Sequence, residues 1–422
     1  MRVLVVGSGG REDSLLHSLS LSPGVTDLVA YPGREGFQTK ARLASGEGTS
    51  PDAILAVAEK EEADLTVVGP EVPLVAGVAD RFARAGRRLF GPSRAAARIE
   101  GSKIFAKEVM RKSGVPTGRH RVVRFAKEMA GAIADVGLPA AVKADGLAAG
   151  KGVVIVRDEG EALAAARRFL EERALGEAGS ALLVEEFLEG EELSVLALVR
   201  DEDFLLFPPS RDYKRIHEGG RGPNTGGMGA ISPVPGVDRE MLDRVGEEVF
   251  RPVLRTLAAD GAPYRGILYG GIILTRDGPK VLEFNCRFGD PETQAVLMLV
   301  EEDLLPRFAA VASGEWIGAP LAMREEAAVC VVLAAAGYPG TPRKGDVIDG
   351  LDGEPLPGTT VLHAGTERRG GEWVTAGGRV LNIVTVGETI DQALERAYRG
   401  ADAIRFDGKQ MRRDIGRPGV QG

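Results

Sequence analysis

The sequence predicts a multidomain protein of mixed α/β and α+β class, with a doubly wound parallel sheet at the N-terminal end, a two-part central region and a small β-rich C-terminal domain. Three observations point there. The chain has 422 residues, too many for one ordinary core, so roughly two to four domains are expected. Over residues 1–92, short β-branched runs alternate with amphipathic stretches, the pattern of βαβ units. From residue 101 the composition shifts to strands and helices around a glycine-rich centre. The expected divisions are 1–100, 101–193, 194–326 and 327–422.

In the first region, strands are read at Val3-Leu4-Val5-Val6, Asp27-Leu28-Val29-Ala30 and Leu65-Thr66-Val67-Val68, with helices over 12–21 and 51–62. Such a sheet binds along the loops that follow its strands. Here those are Gly7-Ser8-Gly9-Gly10-Arg11-Glu12, Tyr31-Pro32-Gly33-Arg34, Gly69-Pro70-Glu71-Val72-Pro73 and Gly91-Pro92, all rich in turn residues. The first loop departs from a dinucleotide fingerprint. Glu12 stands where the third glycine of G-x-G-x-x-G belongs, and the second strand ends at Tyr31 rather than at an acid for an adenosine ribose. Two readings remain: a tight turn without a ligand, or a loop whose backbone amides and Arg11 hold a phosphate-bearing substrate at a helix N-terminus.

Further on, a helix is expected over 103–113, then a turn at Gly114-Val115-Pro116. Residues 140–146 read as a strand leaving into a loop and 152–156 as the strand returning, a hairpin with a glycine tip. Residues 181–188 end a strand at an acidic turn, and a second sheet runs over 194–207 and resumes over 266–283. The C-terminal piece carries strands over 329–334 and 379–386 and a helix over 389–399.

With 53 basic and 61 acidic side chains the net charge is −8, a sign that repels nucleic acid and anionic lipid and favours small-molecule partners. Cys286 and Cys330 are the only cysteines. They have neither redox nor zinc spacing and are too few to staple a secreted chain, so a reducing, cytoplasmic compartment is expected. The first apolar run is cut by Gly7 too soon for a signal peptide. The longest, residues 327–336, is a buried strand or short helix, far below the roughly 18 residues of a membrane span. The chain has 3 Asn and 5 Gln, and 41 of its 53 basic residues are Arg, a usage that fits a thermophile or a GC-rich genome equally well.

The chemistry is concentrated in a few segments. Asp145-Gly146-Leu147-Ala148-Ala149-Gly150-Lys151-Gly152 resembles a Walker loop but lacks the glycine at 145 and the hydroxyl at 152, and a strand rather than a helix follows. It reads as a glycine-rich flap able to lower backbone amides, those of Gly150 and Gly152 among them, onto phosphates and lift off again. Lys103 opens a helix, while Lys143 sits inside the apolar run Ala140-Ala141-Val142. A buried ammonium needs a counter-charge, which an anionic ligand would supply. Glu185-Glu186-Phe187-Leu188 ends a strand that can offer adenine the hydrogen bonds of a hinge, and Glu192 follows as a carboxylate for ribose; such acids are otherwise solvent-facing. On a strand, Glu283, Asn285 and Arg287 alternate onto one face with Phe284 and Cys286 on the other. Two hard oxygen donors beside an arginine suit a magnesium nucleotide, the other reading being an edge strand with a polar outer face. Arg211-Asp212-Tyr213-Lys214-Arg215 and Gly222-Pro223-Asn224-Thr225-Gly226-Gly227-Met228-Gly229 read as a substrate loop, for a substrate the residues themselves do not identify. Together these elements predict a site that holds a magnesium nucleotide beside a small-molecule substrate loop.

In this order, the segments closely resemble the glycinamide ribonucleotide synthetases (phosphoribosylamine-glycine ligases) of the ATP-grasp superfamily. The resemblance rests on Gly7 to Glu12, Gly69-Pro70-Glu71-Val72-Pro73-Leu74, Glu100-Gly101-Ser102-Lys103, Val142 to Gly152, Gly222 to Ala230, Glu283-Phe284-Asn285-Cys286-Arg287-Phe288-Gly289-Asp290-Pro291-Glu292-Thr293 and His363-Ala364-Gly365-Thr366. It implies a central two-part ATP-grasp, activation of a small carboxylate as an acyl phosphate and its ligation to an amine, here ligation of glycine to phosphoribosylamine, with ATP as a substrate and Mg2+ or Mn2+ as the metal. The resemblance further implies that Lys103 and Lys143 hold ATP phosphates, that Glu185, Glu186, Phe187 and Leu188 frame adenine, and that Glu192 binds ribose. Glu283 and Asn285 would hold the metal, Arg287 would steady the acyl phosphate and oxyanion, and Asp212 and Lys214 would lie near glycine. Gly9, Gly10, Arg11 and Glu71 would line the phosphoribosylamine site, with Asn224, Gly226, Gly227, Gly289 and Asp290 as further substrate contacts. Such an enzyme is expected as a monomer or small homo-oligomer. Two departures stand out: Asp13 where the family usually has histidine, and Arg211-Asp212-Tyr213 where Gln-Asp-His is usual. A nucleotide sensor without turnover would be expected to lose the metal ligands or Arg287, and all are present.

Overall fold

The computed structural model describes residues 1–148, 152–351 and 357–417. The N-terminal sheet has five parallel strands in the spatial order Arg42–Leu43, Asp27–Pro32, Arg2–Gly7, Leu65–Val68, Leu89–Phe90. The first strand is central, so the chain winds outward on both sides and the switch-point crevice opens beside the loop that follows Gly7. Helix Gly10–Ser20 leaves that loop and packs against helix Glu292–Val296 and strand Thr359–His363. The N-terminal region is thereby held against the two regions farthest from it in sequence.

The central region contains two antiparallel sheets. One has the order His120–Val123, Leu182–Glu186, Ala140–Ala144, Val153–Val156, and the glycine-rich segment joins its last two strands. The other has the order Asp203–Leu206, Glu191–Arg200, Arg265–Thr275, Gly278–Asn285. The linking helix Lys103–Ser113 is locally specified. Ser102 Oγ accepts from Phe105 N at 3.0 Å, and Gly114 stops the helix at a positive φ of 69°.

Residues 327–334 form a strand, not a helix, and are buried throughout because both faces of this central strand are covered. Its sheet has the order Arg211–Asp212, Gly229–Ser232, Ala327–Ala334, Arg379–Gly387, Thr359–His363. Two of those strands come from within residues 194–326. Gly229–Ser232 is wholly buried and pairs with residues 328–331, so the segment between 212 and 229 hangs from the C-terminal sheet. The apolar packing is continuous between the N-terminal sheet and the second central sheet. The flap-bearing sheet instead packs with helices Met129–Val136 and Glu159–Ala166 on a separate core, from Val123 and Val142 to Phe169 and Val184. Among the described residues no helix is long and apolar enough to cross a membrane.

Candidate active site

Helix Lys103–Ser113 presents Lys103 and Lys107 one turn apart on the same side. Its first turn is tied to the flap: Ser102 Oγ and Ile104 N donate to Asp145 Oδ1 at 2.9 and 3.0 Å, and Lys103 Nζ donates to Gly146 O at 3.3 Å. Lys143, on the strand entering the flap, is nearly buried and forms an ion pair with Glu185, which also pairs with Lys107. This corrects the expectation that a ligand supplies the counter-charge of Lys143. Glu185 lies across the sheet, where its register partner is Ala141. Burial pushes the Glu185 carboxyl up, but Lys143 and Lys107 outweigh it and hold the group below its usual range. The Glu185 carboxylate therefore serves the lysines, and its backbone is committed to the sheet. Of the other residues expected around adenine, Glu186 pairs with Arg119 at 2.6 Å, Phe187 is exposed and Leu188 is half-buried. Gly152 O accepts from Ala144 N at 2.8 Å at the flap's return; Gly150 lies outside the described residues.

Opposite this lysine cluster, strand Gly278–Asn285 delivers Glu283 and Asn285 on one face, with Phe284 buried on the other. Burial raises the Glu283 carboxyl, and Lys214, Lys143, Lys103 and Arg287 together draw it below its usual range. Arg287 follows the strand. Its Nη2 lies 3.1 Å from Glu100 Oε1 and its Nε 3.3 Å from Glu71 Oε2. Burial works against this guanidinium, and Glu100 and Glu71 more than restore its charge. Glu71, expected among the substrate contacts, is thus a partner of Arg287. Among the described residues no group of three or more His, Cys, Asp or Glu could hold a metal alone. Glu283 with the Asn285 carbonyl is a hard two-oxygen donor set, which fits a magnesium ion whose remaining ligands are phosphate and water.

Lys214, Asp212 and Glu192 also converge. Lys214 Nζ lies 2.5 Å from Glu192 Oε2 and 3.8 Å from Asp212 Oδ1. Glu192, expected at ribose, is therefore held by the lysine expected near glycine. Burial, with Glu292, Glu192 and Glu283 nearby, pushes the Asp212 carboxyl up to about 7 against the pull of Lys214. Ser194 Oγ joins Tyr269 Oη on the adjoining strand at 2.8 Å and Glu292 Oε1 at the start of helix Glu292–Val296 at 3.2 Å.

The first loop holds itself. Gly9 N donates to Glu12 Oε2 at 2.7 Å, Arg11 Nε to Glu12 Oε1 at 2.6 Å, and Arg11 Nη1 to Phe288 O at 3.1 Å. The Gly9 amide and Arg11, both expected to meet a phosphate, are engaged within the protein, as in a tight turn, because Glu12 folds back over the loop. Gly10 packs so close to Asn382 and Gln294 that a Cβ would sit 2.3 Å from Asn382 Nδ2. Of the remaining expected substrate residues, Gly226 and Asp290 meet at Arg379, from the C-terminal sheet. Its Nη1 donates to Gly226 O at 2.6 Å and Asp290 O at 2.9 Å, and its Nη2 to Asp290 Oδ2 at 2.7 Å. Gly226 N donates to Tyr338 Oη at 2.8 Å, Gly227 N to Thr225 Oγ1 at 2.9 Å, and Gly289 O accepts from Thr293 Oγ1 at 2.7 Å. Asn224 is exposed on the short ladder opposite Arg215. Both departures from the resembled pattern are structural: Asp13 is buried against Lys40, and Tyr213 is buried beneath Arg412, 5.1 Å from its ring centroid.

Residues 1–100, 101–293 and 328–418 match the N domain, the ATP-grasp (A) domain and the C domain of phosphoribosylglycinamide synthetase. The chain belongs to the phosphoribosylglycinamide synthetase family. Among relatives of this synthetase family is a phosphoribosylamine–glycine ligase of Ralstonia nicotianae, 44% identical over 422 residues and covering 100% of both chains. A phosphoribosylamine–glycine ligase of Thermotoga maritima has a similar solved structure, with 34% identity, a TM-score of 0.86 and coverage of 99% of this chain and 100% of that one. The biotin carboxylase domain of Hydrogenobacter thermophilus 2-oxoglutarate carboxylase shares the fold at 18% identity and a TM-score of 0.78, over 97% of this chain and 91% of that one.

In this member of the synthetase family, Glu100, Lys107, Glu292, Tyr338 and Arg379 adjoin the expected residues but were missed by sequence reasoning. The helical spacing from Lys103 is a signal for Lys107, and Glu100 and Glu292 lie inside segments that carry the resemblance. No local signal marks Tyr338 or Arg379, whose places are set by long-range folding.

Proposed function

We propose that the chain catalyses ATP-dependent ligation of glycine to 5-phosphoribosylamine, giving glycinamide ribonucleotide, ADP and phosphate, in cytoplasmic purine biosynthesis. The observation that carries this reading is the place of Glu283, within electrostatic reach of Lys214, Lys143, Lys103 and Arg287 at once. One carboxylate that feels the charge of four cations brought from separate segments suits a centre where nucleotide phosphates and a substrate carboxylate meet.

Residues 1–100 and 327–422 would flank the ATP-grasp parts 101–193 and 194–326 in this division of labour. Lys103 and Lys143 hold the ATP phosphates while the flap lowers its amides and excludes water. Glu283 and Asn285 would hold Mg2+ or Mn2+, which when bound neutralises phosphate charge. Asp212 and Lys214 orient glycine, and one of its carboxylate oxygens attacks the γ-phosphorus as the bond to ADP breaks. Arg287 steadies the resulting glycyl phosphate and the oxyanion that follows. Gly9, Gly10, Gly226, Gly227 and Asp290 line the side from which the phosphoribosylamine nitrogen attacks the acyl carbon. Phosphate then leaves with one glycine oxygen. Positioning and charge neutralisation do most of the work, since the attacking carboxylate is already ionised.

The test is ADP formation from magnesium ATP with glycine, with and without phosphoribosylamine generated in situ. Turnover that requires both co-substrates supports the reading; a requirement for another acid or amine overturns it.

A further inference from the structure

Arg287 has two carboxylate partners, and they differ in kind. The Glu71 side chain is 25% exposed and approaches from the edge, whereas that of Glu100 is 7% exposed. Glu100 also holds the backbone: Oε1 meets the guanidinium at 3.1 Å, and Oε2 accepts from Cys286 N at 2.7 Å. One carboxylate therefore fixes both the head group of Arg287 and the peptide just before it. Glu100 sits in the last turn of helix Arg94–Gly101, and helix Lys103–Ser113 begins three residues after it. Through this short rigid span, the group that holds Arg287 is coupled to Lys103 and, through Ser102, to Asp145 at the flap. Burying a carboxylate is costly, and a well-packed apolar pair would stabilise such a junction at least as well. The arrangement makes physical sense where the direction of a charge matters.

We infer that Glu100 is a positioning residue for the ligation reaction: it aims Arg287 at the acyl phosphate and keeps it in register with the lysines on the ATP side. The inference rests on the proposed role of Arg287, and Glu100 itself touches no reacting atom.

The experiment is a double-mutant cycle of E100Q and R287K, read in kcat and in KM for ATP. It is paired with the rate at which hydroxyphenylglyoxal modifies Arg287, followed by peptide mass spectrometry. Gln keeps the size and an acceptor for Cys286 N but removes the charge. E100Q is expected to lower kcat about tenfold or more with KM for ATP changed less than about twofold, and to have little further effect in the R287K background. Labelling of Arg287, relative to the other arginines, is expected to rise several-fold in E100Q. Additive losses in the cycle, with unchanged Arg287 labelling, would show a merely structural carboxylate and overturn the inference. Should E100Q not fold, E100D, which keeps the charge but cannot span both partners, enters the same cycle with the same expectations. Arg287 labelling that rises while the wild-type chain makes no ADP from glycine and the amine would sink the function reading and with it the role in ligation, leaving only that Glu100 holds the Arg287 side chain.

Discussion

Glu185 balances the buried Lys107 and the nearly buried Lys143, and so keeps one end of the site charged without a ligand. Removing one partner of such a group leaves uncompensated charge in the interior. Glu185→Ala is expected to destabilise the flap-bearing region by about 3–5 kcal/mol, seen as an earlier transition in thermal or urea unfolding. The folded carboxyl lies below its ordinary value of 4.5. Its contribution is therefore present above that pH and lost as pH falls through the lower folded value. The run Ala140-Ala141-Val142 marks Lys143 as buried in the sequence, but its counter-ion was not legible there. The register that sets residue 185 beside residue 141 is a property of two strands forty residues apart, and no local pattern encodes it.

Elements show the same division between local and long-range causes. Helix Lys103–Ser113 has its cap and stop written beside it, and the hairpin of Ala140–Ala144 with Val153–Val156 follows from apolar runs around a glycine-rich turn. The insertion of Gly229–Ser232 into the C-terminal sheet depends on a partner about a hundred residues away and was not foreseen. That insertion places the segment after Asp212 under Arg379. Arg379→Ala removes three charge-assisted bonds to Gly226 and Asp290. It is expected to lower kcat/KM for the amine about ten- to a hundredfold with KM for ATP nearly unchanged, measured by initial rates. At the flap's entry, Gly146 has φ +138°, and an added Cβ would lie 3.0 Å from Ala178 Cα. Gly146→Ala should therefore raise KM for ATP and destabilise the region by about 1–3 kcal/mol, checked by nucleotide titration and melting.

Across the whole molecule, Asp13 clasps the first and last regions together. Lys40 Nζ donates to its carboxylate oxygens at 2.9 and 3.0 Å, and His363 N donates to Oδ2 at 2.6 Å. Burial raises the Asp13 carboxyl from 3.8 to about 6 despite Lys40. Between those values the folded state binds the proton more tightly, so this group makes stability fall as pH rises. His363, lowered to about 4 by burial and by the charges of Lys40 and Arg368, acts in the opposite direction over much of that range. Comparison with Asp13→Asn isolates the first effect. The stability of wild type relative to the variant should drop by up to about 3 kcal/mol from pH 3.8 to 6 and stay level above it, in urea unfolding across pH. The parallel N-terminal sheet was legible from its alternating elements, whereas this clasp arises only when helix Gly10–Ser20 meets strand Thr359–His363.

The central claim is that glycine is activated by ATP as an acyl phosphate and then captured by the amine. Its most direct test is turnover with glycine labelled by 18O in both carboxylate oxygens, followed by mass analysis of the phosphate released. One glycine-derived 18O is expected in each phosphate and one is expected to remain in the amide product. Unlabelled phosphate formed alongside the amide product would contradict that claim, because ATP would then have been split by water rather than by the glycine carboxylate.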